Sequence, residues 1–117
     1  MKFDIEDRLI RFASSIISIC ETLPEKKSAQ HLGGQLLRSG TAPALMYGEA
    51  QAAESRNDFV HKMKIALKEL RETSVCLRII HSQQLSKSDE DIPPLLRENF
   101  ELIAIFVTSI KTASSSK

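Results

Sequence analysis

Apolar residues recur along this chain at intervals of three and four, and the series is interrupted at three places. The first series is Ile5, Leu9, Phe12, Ile16, Ile19 and Leu23, which stacks on one face of a helix. Ile10, Ala13, Ile17 and Cys20 form a second series beside it. Asp4, Glu6 and Asp7 lie in the first turn, where the helix dipole favours anions, and Pro24 stops the run. A helix is predicted over about 4–23. The second segment, about 28–54, places Ala29, Leu32, Leu36, Pro43, Tyr47, Ala50 and Ala53 on one face. Gly33, Gly34, Gly40, Pro43 and Gly48 interrupt it. An interior Pro costs about 3 kcal/mol and usually kinks a helix. The segment reads as one long helix kinked around Gly40 to Pro43, with two helices and a turn as the alternative. Its small residues also allow another helix to come close.

Ser55 then suits an N-cap, with Asp58 three residues on in an approximate capping box. Phe59, Met63, Ala66, Leu70, Thr73, Leu77 and Ile80 keep a four-three repeat and predict a helix over about 55–84. A polar connection, 86–91, follows. Pro93 and Pro94 fit the first turn of a fourth helix, about 93–111, whose seam reads Leu96, Phe100, Ile103, Val107 and Ile110. Leu95, Leu102, Ile105 and Phe106 make that helix apolar on further faces. Residues 112–117 read as a disordered tail. With no internal repeat or linker, 1–111 is one domain. Short connections between the helices predict an all-α, antiparallel up-down-up-down four-helix bundle. Helices one and four carry more apolar surface than one core uses. A homo-oligomer is therefore expected, and a bulkier core is the alternative.

Composition narrows the function. The 117 residues include 16 Lys plus Arg against 15 Asp plus Glu, a formal net charge of +1. That excludes a generic polycation but not a locally basic surface. Cys20 and Cys76 form no CxxC pair, which argues against a disulfide scaffold or zinc cluster and for a reducing cytoplasm. They read as inert thiols beside apolar seams. No apolar run approaches the roughly 20 residues of a membrane span, and the N-terminus lacks a signal-peptide core, so no membrane association is expected.

Laid on helix three, the charges are not uniform. His61, Lys64, Lys68, Arg71 and Arg78 fall within one sector roughly 100° wide, away from the apolar seam. They form a basic ridge of roughly 25 Å at 1.5 Å per residue. Such a ridge suits a phosphate backbone, and an ordinary solvated helix face is the alternative. No aromatic residue interleaves it, so base stacking is not supported. If helices two and three form a hairpin turning near Ser55, residues whose numbers add to about 110 face each other. Arg38 then meets Glu72, Glu49 meets His61, and Gln35 lies near Val75. A polar inter-helix network, Arg38–Glu72 and Glu49–His61, is predicted beside the ridge.

Catalytic chemistry is missing. His31, His61 and His81 enter no HExxH, and no Glu stands three residues before a His to give a di-iron signature. Glu69 and Glu72 form an ExxE pair with no histidines to complete a metal site. The glycines match neither GxGxxG nor a Walker A. The chain reads as non-enzymatic, with no cofactor and no metal.

The middle of the chain resembles a known family. Gln35-Leu36-Leu37-Arg38-Ser39-Gly40-Thr41, Tyr47-Gly48-Glu49-Ala50-Gln51-Ala52-Ala53, Ser55-Arg56-Asn57-Asp58-Phe59-Val60-His61-Lys62, Ile65-Ala66-Leu67-Lys68-Glu69 and Glu72-Thr73 are similar to the bacterial four-helix-bundle proteins encoded by intervening sequences inside 23S rRNA genes. The resemblance implies ring-shaped homopentamers of antiparallel bundles, cytoplasmic and with no established enzymatic activity. It also implies a relation to the accessory variability proteins of diversity-generating retroelements, pentamers that bind nucleic acid and a reverse transcriptase. The matching polar positions are Arg38, Tyr47, Glu49, Arg56, Asp58, His61, Lys68 and Glu72. The chain departs from the family at Pro43 to Met46, where many members have Ser or Ile and then Asn. It departs again at Val75 and Cys76, where many have an aromatic pair.

The expected function is a homo-oligomeric bundle, a pentamer by the resemblance, that binds RNA or DNA through Arg38, Arg56, His61, Lys64, Lys68, Arg71 and Arg78. The alternative is a scaffold that presents Arg38, Glu49, Arg56 and Glu72 to a nucleic-acid-processing protein, without touching nucleic acid itself.

Overall fold

The structure, a computed structural model, describes residues 4–115. It comprises α1 (Ile5–Cys20), α2 (Lys27–Gln51), α3 (Arg56–Ser82) and α4 (Ile92–Ser115), with a 3-10 turn at Asp89–Asp91 ahead of α4. The helix ends follow local chemistry. Asp4 caps α1 by accepting from the Glu6 N–H at 3.0 Å. Beyond Cys20 the backbone tightens, with the Thr22 and Leu23 N–H groups donating to the Ile19 and Cys20 carbonyls. The first helix therefore ends before the expected position 23. Ser55 caps α3 through the Asp58 N–H at 3.0 Å. Asp58 returns a bond to the Glu54 N–H, one residue earlier than a standard capping box. At the other end of α3, Gln84 takes a left-handed conformation (φ 52°), and the Leu85 N–H reaches back to the Ile80 carbonyl.

The second segment is one long helix, as expected, running unbroken through Gly40 and Pro43, so the two-helix alternative does not apply. The fourth helix continues to Ser115, through most of the expected tail; 116 and 117 lie outside the described residues.

Named contacts fix the directions. On α2, a Cβ at Gly33 would meet Leu23 and one at Gly40 would meet Ile16, so α1 and α2 are antiparallel. Arg38 reaches Glu69 and Glu72 while Glu49 reaches Lys62, so α2 and α3 are antiparallel. Arg8 bonds Glu98 and Glu101 on α4, and Thr22 bonds Ser86 just before it, so α4 opposes α1 as well. The result is an up-down-up-down four-helix bundle.

The core is one cluster in which Leu9, Phe12, Leu36, Met63, Leu70, Leu77, Leu102 and Phe106 are almost fully buried. The seams expected on α1 and α3 supply it directly. The seam expected on α4 supplies only its margin, where Leu96, Ile103 and Ile110 are partly buried against the cluster. Ile92, Leu95, Asn99, Leu102 and Phe106 face inward, while Phe100 and Val107 are exposed. Because α4 is apolar on several sides, two series compete, and the correct one is interrupted by a polar residue. That residue, Asn99, is fully buried, and its amide has no hydrogen-bond partner among the described residues. The Ser39 and Thr73 hydroxyls, also fully buried, satisfy each other across α2 and α3 at 3.0 Å.

Candidate nucleic-acid interface

The outer face of α3 follows from its inner one. With Met63, Ala66, Leu70, Leu77 and Ile80 buried, the helical period puts His61, Lys64, Lys68, Arg71 and Arg78 in solvent, and all five are exposed. Lys64, Lys68 and Arg71 form a run about 10 Å long at 1.5 Å per residue. None of the three has a carboxylate within 4.0 Å among the described residues.

Arg38 explains why these charges are uncompensated. From α2 it crosses to α3, where its Nη1 donates to Glu69 Oε1 at 2.8 Å and its Nη2 donates to Glu72. The same Nη2 also donates to Gln35 Oε1 at 3.1 Å. The bond to Glu72, then the one to Glu69, hold the guanidinium pKa above its ordinary value. The two acidic side chains closest in sequence to Lys68 and Arg71 are thereby turned toward α2. Arg38 does meet Glu72, as the hairpin register places it. Its guanidinium is engaged by that pairing beside the ridge, with half of the side chain still exposed.

The second expected pair is replaced. Glu49 faces Lys62 at 3.6 Å, and Lys62 also lies 3.5 Å from Asp58. His61, one residue earlier, points away from α2 into solvent. The register placed the level correctly and missed the rotation, since one helical residue is about 100°. Arg56 occupies the first position of α3, exposed, at the end of the helix farthest from Arg78.

The ridge also changes character along its length. After Arg71 the same face presents Val75, 47% exposed, and Ile79, 40% exposed. Arg78 sits between them, with its Nε donating to the Ser74 carbonyl at 3.4 Å. With Ser82 and Gln83, these three residues line a shallow concavity of about 330 Å³. The stretch of exposed Lys and Arg alone is therefore Lys64 to Arg71, and the C-terminal stretch mixes charge with apolar surface.

A larger concavity, about 480 Å³, lies elsewhere, between α1 and α4 over Phe12, Ile19 and Leu95. One end is closed by Arg8, whose Nη2 donates to Glu98 at 2.7 Å and Glu101 at 3.0 Å. This clasp had no signal in the sequence, because a bond spanning ninety residues needs the register of α4 against α1. No group of three or more His, Cys, Asp or Glu among the described residues is arranged to hold a metal. Burial pushes the Cys20 thiol up to about 11 and raises Cys76 as well, the opposite of an activated nucleophile. No described helix is long and apolar enough to cross a membrane.

The family model for the 23S rRNA-intervening sequence protein matches residues 1–107. Among solved structures the chain is similar to the crystal structure of a protein of unknown function from the S23 ribosomal protein family of Bacteroides thetaiotaomicron VPI-5482. The TM-score is 0.82 at 29% identity, over 92% of this chain and 95% of that one. No curated protein matches significantly.

Proposed function

The chain belongs to the 23S rRNA-intervening sequence protein family, and from that premise we propose a non-enzymatic, cytoplasmic, homo-oligomeric bundle that binds RNA or DNA through α3. One observation carries this reading: Lys64, Lys68 and Arg71 are exposed, adjacent and unpaired, while the neighbouring carboxylates of Glu69 and Glu72 are taken up by Arg38. Cations without partners give up no ion pair when they meet a phosphate, and they release the counterions condensed on it. His61 extends the stripe at its N-terminal end, and Arg56 lies beyond His61. Ile10 and Ile17 on α1 and Phe100 and Val107 on α4 are exposed apolar residues that support self-association. The resemblance implies five copies, and repetition of a weak site around a ring raises its effective concentration.

The test is binding of a labelled single-stranded RNA and a duplex DNA across a salt series. Three phosphate contacts per chain give a log–log slope of about −2 to −3. Changing Lys64, Lys68 and Arg71 together to Glu should lower affinity at least tenfold and flatten that slope. Undiminished binding by this variant would remove the ridge from the function.

The scaffold alternative loses support at its chosen residues. Arg38, Glu72 and Glu49 are engaged in pairs within the chain. A protein-binding role finds its support at the apolar end of α3 instead.

A further inference from the structure

A solvated helix face tolerates single apolar residues, but the C-terminal half of α3 combines three features. Val75 and Ile79 are one turn apart, and each exposes two-fifths or more of its surface. Arg78 lies beside both. Its Nε is anchored on the Ser74 carbonyl, and no carboxylate lies within 4.0 Å of it among the described residues. Together with Ser82 and Gln83 they line a shallow, open concavity of about 330 Å³. Arg71 stands one turn before Val75, also unpaired.

The composition of this half does not suit a phosphate backbone. Val75 and Ile79 gain nothing from phosphates, and they occupy positions where a continuous ridge would carry Lys or Arg. It suits a protein hot spot, in which Arg and apolar side chains are desolvated together. The charge decides what kind of protein. The uncompensated Arg78 guanidinium beside an apolar pair repels basic segments and favours acidic ones.

We infer that the Val75–Arg78–Ile79 surface is a docking site for a short acidic, apolar peptide segment of a partner protein, separate from the cationic stripe at Lys64 to Arg71. The peptide places an apolar side chain against Val75 and Ile79 and a carboxylate on Arg78. This goes beyond the nucleic-acid reading and does not require it, because the two halves of α3 use different residues.

A random peptide library displayed on phage, selected on the full-length chain, provides an unbiased probe. Selected sequences are then synthesised with a fluorescent label, and their affinities are measured by anisotropy. The expected consensus is Leu, Ile or Phe flanked by Asp or Glu. Binding should fall at least tenfold in a Val75→Ala, Ile79→Ala variant and in Arg78→Glu, whose circular dichroism should match the parent because all three side chains are exposed. Selection of peptides without acidic residues, or equal binding by the variants, would overturn the assignment. So would a change in sedimenting mass for the Val75→Ala, Ile79→Ala variant, which would show a second copy covering the surface. Loss of RNA affinity in Arg78→Glu as large as in Lys68→Glu would also overturn it, by returning Arg78 to the nucleic-acid stripe. Failure of the nucleic-acid reading shows separately, in the Lys64, Lys68 and Arg71 variant, and leaves the peptide result standing.

Discussion

Lys68 and Glu72 stand four residues apart on α3, a spacing at which a helix-surface ion pair can form. They do not pair, because Arg38 holds Glu72 together with Glu69 from the neighbouring helix. Arg38 thus holds the carboxylates nearest Lys68 and Arg71 toward α2. Arg38→Ala frees Glu72 to turn toward Lys68 and should weaken RNA binding about two- to threefold at low salt, the scale of one such pair. A direct phosphate contact by Arg38 would also weaken binding when lost, so the single variant does not separate the two roles. The triple variant Arg38→Ala, Glu69→Ala, Glu72→Ala does. With both carboxylates gone, affinity should return to the parent value or exceed it if Arg38 acts by holding Glu69 and Glu72. If affinity stays low in the triple variant, Arg38 touches the nucleic acid itself.

At the scale of the helices, α2 carries the sharpest constraint. A Cβ at Gly40 would lie 2.7 Å from both Cγ1 and Cγ2 of Ile16, which is itself fully buried. Gly40→Ala should push α1 from α2 and destabilise the chain by about 1–3 kcal/mol, as overpacking does. Gly34 and Gly48 have no atom within 4 Å of the same position. Replacing either by Ala should stabilise by about 0.5–1 kcal/mol through helix propensity alone. Denaturant midpoints at constant m-value check the contrast, and a neutral Gly40→Ala would show that this contact does not set the α1–α2 distance. The same helix shows how far the sequence could be read. The glycines signalled close approach but not which helix approaches, since that depends on register against α1. The hairpin sum located Arg38 opposite Glu72 but chose His61 over Lys62, because level and rotation are separate quantities. The four-three repeat of α3 was unambiguous, since Met63 through Ile80 has polar residues on every other side. On α4 the repeat was ambiguous, with apolar residues on several faces and Asn99 breaking the inward series.

At the scale of the molecule, exposed apolar surface is spread over all four helices. It includes Ile10 and Ile17 on α1, Leu37 and Leu45 on α2, Val75 and Ile79 on α3, and Phe100 and Val107 on α4. The sequence reading placed the excess on α1 and α4 and took Phe100 and Val107 for core. Their exposure strengthens the expectation of a partner copy, since a residue half open in the single chain has apolar area left to bury. An isologous dimer covers one patch with itself, whereas a closed ring covers two different patches per chain, and patches on separate helices suit the second case. Sedimentation at micromolar concentration should therefore give a multiple of 13.1 kDa. Ile17→Asp combined with Phe100→Asp should convert that species to monomer while leaving the helical spectrum intact, because both side chains are already solvent-exposed in the single chain. The same variant should lose most of its RNA affinity while Lys64, Lys68 and Arg71 remain in place, since each isolated stripe binds alone. A monomer that keeps the parent affinity would show that one stripe suffices and that the exposed apolar residues serve another partner.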